Sequence, residues 1–412
     1  MDLIIGAGIT GLSYAAYSNN DYMIIEKEHE IGGYCRTIHQ DGFVWDYSGH
    51  FFHFQDEKIK QDVMSHMDPS QILSVTKKTQ IKYRDLMIDY PFQKNIHQLH
   101  KEEFIDCLYD LFQNPYHDYS SFKEMLYAKF GKSIAEKFLI PYNEKLYACD
   151  LNSLDVDAMG RFFPFANKDD IILNFKFAKE QSYNAHFLYP RGGAIEYVKS
   201  VCGKVKKDRI FLNEELLDID VYNKIAYTNK RRIKYDNIIS TIPFPYLLKQ
   251  THIDYDKSLY TSNQVLVFNI GFNKKGLERV NNWIYFPEKK YLFYRIGFYD
   301  NIFQSDKLSV YVEIGYREND IIDPDKALQD TLIGMKKAGI ISDHEIESMC
   351  TLVMNPAYVH VTKNMEIDKL AKMKLLNGLD IYSIGRYGSW IYCSIEDNIK
   401  EAKTLAHQLE SR

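Results

Sequence analysis

Gly6, Gly8 and Gly11 stand in the run Gly6-Ala7-Gly8-Ile9-Thr10-Gly11, and Glu26 follows 20 residues after the first of them. Glycines at this spacing can seat a pyrophosphate. The first permits a tight turn, the second lets backbone approach the phosphates, and the third lets a helix pack on a strand. The acid can accept a hydrogen bond from a ribose 2′-OH. This chemistry needs a strand leading into the glycines and a helix leaving them. Leu3-Ile4-Ile5 supplies the strand, Leu12 to Ala16 a helix of small residues, and Ile24-Ile25 a second strand ending at Glu26. The helix N-terminus adds N–H donors and a positive dipole end. The expectation is dinucleotide binding; the competing reading is a tight turn needed only for the fold.

At 412 residues the chain exceeds a single typical core, so two or three domains are expected. A net charge of −5 gives no support for nucleic-acid binding, and no apolar run reaches 18 residues, so no transmembrane helix is expected. Because Met1 leads almost directly into the first strand, no signal peptide is expected. The six cysteines lack CxxC spacing, which argues against a metal site and fits a reducing cytoplasm. Tyrosine occurs 32 times. It combines a stacking face with a hydroxyl, suited to a ligand that is part ring and part phosphate. Coding bias explains the count as readily.

The pattern predicts a doubly interrupted α/β fold: a Rossmann-type domain with an inserted helical domain and an antiparallel sheet domain. Expected boundaries are 1–78, 185–255 and 366–412 for the nucleotide domain, 79–95 for a substrate-sheet segment, 96–184 for the helical insert and 256–365 for the antiparallel sheet. Gln80–Tyr83 and Leu86–Tyr90 read as a hairpin around Arg84-Asp85. Helical spacing runs from Ile96 to Leu139, with Pro141 as a breaker. Val265–Phe272, Trp283–Phe286, Tyr291–Phe298 and Leu308–Tyr316 read as an antiparallel meander, and a closing helix as Asp397–Glu410. A cleft between the nucleotide domain and its inserts is the expected substrate site.

Gly32-Gly33-Tyr34-Cys35-Arg36-Thr37 follows the acid closely. It resembles the second glycine motif of the FAD-dependent amine oxidase and sugar mutase superfamily, where the chain crosses near the cofactor phosphates. The resemblance implies FAD, with Gly6, Gly8, Gly11, Glu26, Gly32, Gly33 and Arg36 at the cofactor. Five further segments resemble the UDP-galactopyranose mutase family, nearer its eukaryotic type, and they fall in family order. They are Asp89-Tyr90-Pro91-Phe92-Gln93-Lys94-Asn95-Ile96, Pro141-Tyr142-Asn143-Glu144-Lys145-Leu146-Tyr147-Ala148, Pro190-Arg191-Gly192-Gly193, Trp283-Ile284-Tyr285-Phe286-Pro287-Glu288 running on to Phe293-Tyr294-Arg295, and Gly385-Arg386-Tyr387-Gly388-Ser389-Trp390-Ile391-Tyr392.

Members of that family interconvert UDP-galactopyranose and UDP-galactofuranose without net redox change, through an adduct between N5 of reduced FAD and the sugar. The resemblance implies a UDP-sugar substrate, an external reductant, a place in polysaccharide biosynthesis, and leaves a homo-oligomer open. By position it implies that Arg295 and Arg386 clamp the diphosphate and that His50, in Ser48-Gly49-His50-Phe51-Phe52, faces the flavin. Tyr90, Phe92, Gln93 and Asn143 would form the uridine end, and Tyr147, Tyr285 and Tyr392 would line the sugar and phosphates. Arg161 matches an arginine on the nicotinamide or substrate side. Gly385, Asp397 and Asn398 would meet the flavin, with Asp397 or Asn398 capping the last helix. Two positions depart from the family: Tyr147 replaces a tryptophan, and Cys393-Ser394-Ile395-Glu396-Asp397-Asn398 lacks the usual glycine and short acidic turn. An amine oxidase or protoporphyrinogen oxidase-like oxidoreductase is the alternative. It explains both glycine motifs but gives two diphosphate-clamping arginines no task.

Overall fold

The computed structural model describes residues 1–176 and 186–410. Leu3, Ile4 and Ile5 are buried because their strand, Asp2–Ile5, lies at the centre of a parallel sheet. The sheet order is Ile381–Ser383, Asn237–Ser240, Asp2–Ile5, Tyr22–Ile25 and Ile210–Phe211. The chain therefore leaves this layer and returns to it from far along the sequence. The helix Ile9–Tyr17 packs on Ile395–Glu410 and Ile195–Cys202, and small residues at Ala15, Ala402 and Ala406 let these helices come close.

A second sheet has seven strands, in the order Ile346–Met354, Asn263–Phe272, Ser309–Arg317, Arg295–Phe298, Trp283–Tyr285, Thr79–Tyr83 and Leu86–Asp89. It is mixed rather than antiparallel, because Trp283–Tyr285 runs parallel to Thr79–Tyr83. That hairpin arrives from a distant part of the chain, so no tight turn dictates its direction. Ile346–Met354 was not expected as a strand; it is an edge strand whose buried and exposed positions do not alternate with residue type, Ser348 being buried and Val353 exposed. Tyr291–Tyr294 is a loop, not a strand extension. The carbonyls of Phe286, Tyr291 and Phe293 are taken instead by the Lys145 ammonium.

The helical insert comprises Lys101–Phe112, Phe122–Ile134, a π-turn at Ala135–Leu139, Ile140–Tyr147 and Lys168–Lys176. Pro141 opens the Ile140–Tyr147 helix instead of ending its predecessor. The π-turn runs directly into this helix, and its wider turn accommodates the missing N–H. The expected boundary at 184/185 lies outside the described residues. Among the described residues no helix is long and apolar enough to cross a membrane.

Candidate active site

The two glycine motifs meet. Gly6 has φ +102°, and a Cβ there would lie 2.3 Å from Thr241 Oγ1; on Gly11 it would lie 2.1 Å from the Gly6 carbonyl oxygen. Gly8 and Gly33 face each other, so closely that a Cβ on Gly33 would stand 3.6 Å from the Gly8 Cα. The Gly32 N–H donates to the Ala7 carbonyl at 2.9 Å and joins the turns. Glu26 is buried at the end of its strand and accepts from the N–H groups of Ala7 (2.7 Å) and Glu28 (2.9 Å). Its remaining lone pairs suit a ribose hydroxyl. Arg36 donates to the Gly33 carbonyl at 2.9 Å and lies over Tyr47. A backbone cradle with no side chain in its path, closed by a carboxylate, fits a dinucleotide.

Across three strands of the second sheet, Tyr285, Arg295 and Glu313 stand directly opposite one another. Glu313 is 1% exposed and accepts from Arg295 twice, at 2.5 Å (Nε) and 2.8 Å (Nη2). Its Oε1 also accepts from the Ser48 hydroxyl. Burial, the largest single effect, works against the charge of Arg295, but Glu313 together with Tyr311 and Tyr358 outweighs it and holds the pKa above the usual arginine value. Two residues on, Gly297 faces Tyr311, and a Cβ on Gly297 would strike that ring. Gly49 presses on the same tyrosine hydroxyl. These two glycines let the Ser48–His50 loop lie flat on the sheet. His50 Nδ1 donates to the Ser48 carbonyl at 3.0 Å, which leaves Nε2 as the other ring nitrogen. Burial, with Arg386 adding to it, pushes the His50 pKa down to about 4, the Ser48 carbonyl opposing. At neutral pH the ring is uncharged.

Arg386 approaches from the nucleotide domain, just after the strand Ile381–Ser383. Its guanidinium stands 4.7 Å from the Tyr392 ring and 5.4 Å from the Tyr358 ring. It donates to the Cys393 carbonyl, and among the described residues no carboxylate pairs with it. Asn398 Oδ1 accepts from the Arg386 N–H (2.7 Å) and from the Thr10 hydroxyl (2.9 Å), tying this arginine to the glycine turn. Gly385 gives its N–H to Glu401. The expected start and cap of the last helix are corrected here. The last helix starts at Ile395, and Ser394 caps it: Ser394 Oγ accepts from the Asp397 N–H while Asp397 accepts from the Ser394 N–H, a reciprocal capping box. Asn398 is an internal tie rather than a cap, and both Asn398 and the Gly385 N–H are already engaged within the protein. Arg161 is held at the cavity rim, paired with Asp397 at 2.6 and 2.7 Å and bonded to Gln55.

The cavity has a volume of about 1550 Å³ and runs from Ser394 and Arg161 past His50 and His53 to Lys77 and Tyr90. Tyr90, whose bond to Pro91 is cis, packs on Tyr285 at 4.9 Å and joins the cavity to the arginine cluster. Tyr142 packs edge-on to Tyr285 behind Tyr90. Phe92 is not part of the cavity wall. It is fully buried and stacks on Phe138 in the helical core. The turn after Pro91 directs it inward, so the uridine role expected for it is withdrawn. Gln93 gives its amide N–H to the Pro164 carbonyl, and its Oε1 is buried without a partner. Asn143 donates to the Leu139 carbonyl, and its Oδ1 is likewise unpartnered. So are the hydroxyls of Tyr147, Tyr294 and Tyr311, whereas Tyr285 accepts from Trp283 Nε1. Buried polar atoms are ordinarily paired. The three tyrosine hydroxyls stand near the two arginines and mark a place for a polar ligand.

Sequence reasoning missed Glu313, Ser48 and Tyr358. Glu313 left a readable signal, a lone acid inside the apolar run Val310 to Ile314. Tyr358 left none; a neighbouring cis-proline segment brings it under Arg386.

Residues 4–66 match a family described as an NAD(P)-binding Rossmann-like domain. Solved structures share the whole fold. A reduced UDP-galactopyranose mutase superposes with a TM-score of 0.92 at 22% identity, covering 100% of this chain and 93% of that one. A protein from Exiguobacterium sp. 255-15, provisionally named a protoporphyrinogen oxidase, gives 0.79 at 16% identity, covering 99% and 98%. A cyclohexylamine oxidase from Brevibacterium oxydans IH-35A gives 0.67 at 12%, covering 99% of each chain. At these identities the likeness establishes the fold: a Rossmann-like nucleotide domain joined to a mixed-sheet domain.

Proposed function

We propose that this chain is a flavin-dependent nucleotide-sugar mutase that interconverts UDP-galactopyranose and UDP-galactofuranose, or a related UDP-sugar pair, with FAD in its reduced state. The observation that carries the reading is the charge of the tyrosine-lined site. Two half-buried arginines meet a single carboxylate, so Arg386 is left to seek an anion, and unpartnered hydroxyls stand nearby, Tyr147 on the Arg386 side and Tyr294 and Tyr311 on the Arg295 side. A nucleoside diphosphate has the charge and acceptors to satisfy this set. An amine or apolar substrate, as the oxidase alternative requires, would leave it unsatisfied.

When bound, reduced FAD supplies the nucleophile that exchanges with UDP at the anomeric carbon and leaves the redox state unchanged. The protein's own part is electrostatic and steric. Arg386 and Arg295 hold the diphosphate and stabilise its charge as it departs and returns. Tyr90, Tyr285 and Tyr392 wall the site, and Tyr147 and Asn143 offer buried polar atoms to the ligand. Neutral His50 presents an uncharged ring beside the cofactor position, and an external reductant maintains the active state. The test is to incubate dithionite-reduced, flavin-loaded protein with UDP-galactofuranose and follow UDP-galactopyranose by chromatography, beside an oxidised control. Conversion in the reduced sample alone is the expected result. No conversion and no UDP binding would overturn it in favour of the oxidase. No conversion with tight UDP binding would point to another nucleotide sugar.

A further inference from the structure

Glu313 is a puzzle for an anion site. A buried carboxylate beside the diphosphate clamp should repel the very ligand the arginines attract. Its geometry supplies a reason to keep it. Both oxygens are used: Oε2 accepts from Arg295 Nε, and Oε1 from Arg295 Nη2 and the Ser48 hydroxyl. This two-point pairing fixes the plane of the guanidinium and leaves Nη1 as the nitrogen not bonded to it. The third bond reaches the His50 loop, whose Ser48 carbonyl accepts from His50 Nδ1. One carboxylate thus links the sheet arginine to the histidine loop. Arg295 without it would be a long side chain with several rotamers beside a cavity.

We propose that Glu313 is a positioning residue, which, through Arg295 on one side and Ser48 on the other, sets the diphosphate clamp against the histidine loop. The inference rests on the nucleotide-sugar reading of the same site.

The sign of one substitution separates positioning from simple electrostatics. Glu313→Gln removes a negative charge, so Coulomb's law alone makes UDP bind more tightly. Positioning makes it bind more weakly, because an amide nitrogen must then face a guanidinium nitrogen and the fork is lost. Calorimetric titration of the full-length, flavin-loaded protein with UDP is expected to give a Kd about tenfold higher for Glu313→Gln than for the unaltered protein. Ser48→Ala, which keeps the ion pair and removes one donor, is expected to raise Kd about threefold. In turnover the effect should fall on both KM and kcat, and Glu313→Asp should recover little, since its shorter arm cannot reach both partners. An unchanged or lower Kd in Glu313→Gln overturns the proposal. If that variant does not fold, an unchanged Kd in Ser48→Ala overturns it instead. Failure of the unaltered protein to bind UDP overturns the nucleotide-sugar reading itself, and the proposal falls with it.

Discussion

Arg161 and Asp397 form a two-pronged ion pair at the cavity rim, but they do not share one role. Asp397 also closes the capping box of the last helix, whereas Arg161 is 43% exposed and reaches in from the helical insert. Loss of the aspartate should therefore cost more. Asp397→Ala is expected to lower stability by about 1 kcal/mol, the worth of a cap. Arg161→Ala should change it by about 0.5 kcal/mol or less, as for other exposed pairs. Urea titrations of both variants decide this. Equal losses would show that the ion pair, not the cap, is the asset.

The glycine turn gives a sharper contrast. A Cβ on Gly11 meets a backbone oxygen at 2.1 Å, which no side-chain rotation relieves. Gly11→Ala should destabilise by about 3 kcal/mol and release the flavin. Gly42 also has a positive φ, of +83°, yet nothing lies within 4 Å of its Cβ position. Gly42→Ala should cost only about 1 kcal/mol of backbone strain and keep the flavin. Absorbance of the purified proteins and their melting temperatures test both.

Phe92 belongs to the core, and substitution there should be read in stability. Phe92→Ala is expected to cost about 3–5 kcal/mol. The milder Phe92→Leu should leave UDP affinity within about twofold. A tenfold loss of affinity in the leucine variant would return this residue to the uridine end.

His50 predicts a pH dependence. Its folded pKa of about 4 lies below the unfolded value of 6.5. Between these values the unfolded chain binds the extra proton, so stability falls as pH falls from 6.5 towards 4. Above 6.5 the contribution is fully present. Other buried groups titrate nearby, including Asp46, raised to about 6 by burial, but they are common to the variant and cancel in the difference. The melting temperature of His50→Asn should thus fall less between pH 7 and pH 4.5 than that of the unaltered protein. Parallel curves would place the histidine in solvent.

Arg386 stacks among tyrosine rings and has no carboxylate partner among the described residues. A lysine keeps the charge but loses the planar fork. Arg386→Lys should weaken UDP binding at least about tenfold with flavin retained, which titration beside an absorbance spectrum will show.

Local chemistry made the nucleotide domain legible. Glycine spacing, an apolar strand and a terminal acid are all short-range signals, and Gly6 to Glu26 form the turn, helix and strand that their spacing implies. The hairpin around Arg84-Asp85 was readable for the same reason, with Arg84 in the left-handed region at the turn. What escaped depended on distant partners. The parallel pairing of Trp283–Tyr285 with Thr79–Tyr83 has no local signature. Phe92 and Gln93 are neighbours of Tyr90 in a single motif, yet the chain turns there and sends the phenylalanine into the helical core. Asp397 and Asn398 looked alike as caps, and only the placement of Ser394, Thr10 and Arg386 tells them apart.

The bond from Thr10 to Asn398 spans 388 residues. Its consequence concerns synthesis. A nascent chain displays its glycine turn at once, but one of the two strands flanking Asp2–Ile5, Asn237–Ser240, and the helices packed on Ile9–Tyr17 emerge from the ribosome much later. The helical insert shares its core with later strands, Val265 and Tyr311 among them, and the nucleotide domain needs the last helix, so neither is complete early in translation. Premature termination anywhere before Asn398 thus yields chains that carry the glycine turn without the tie that steadies it.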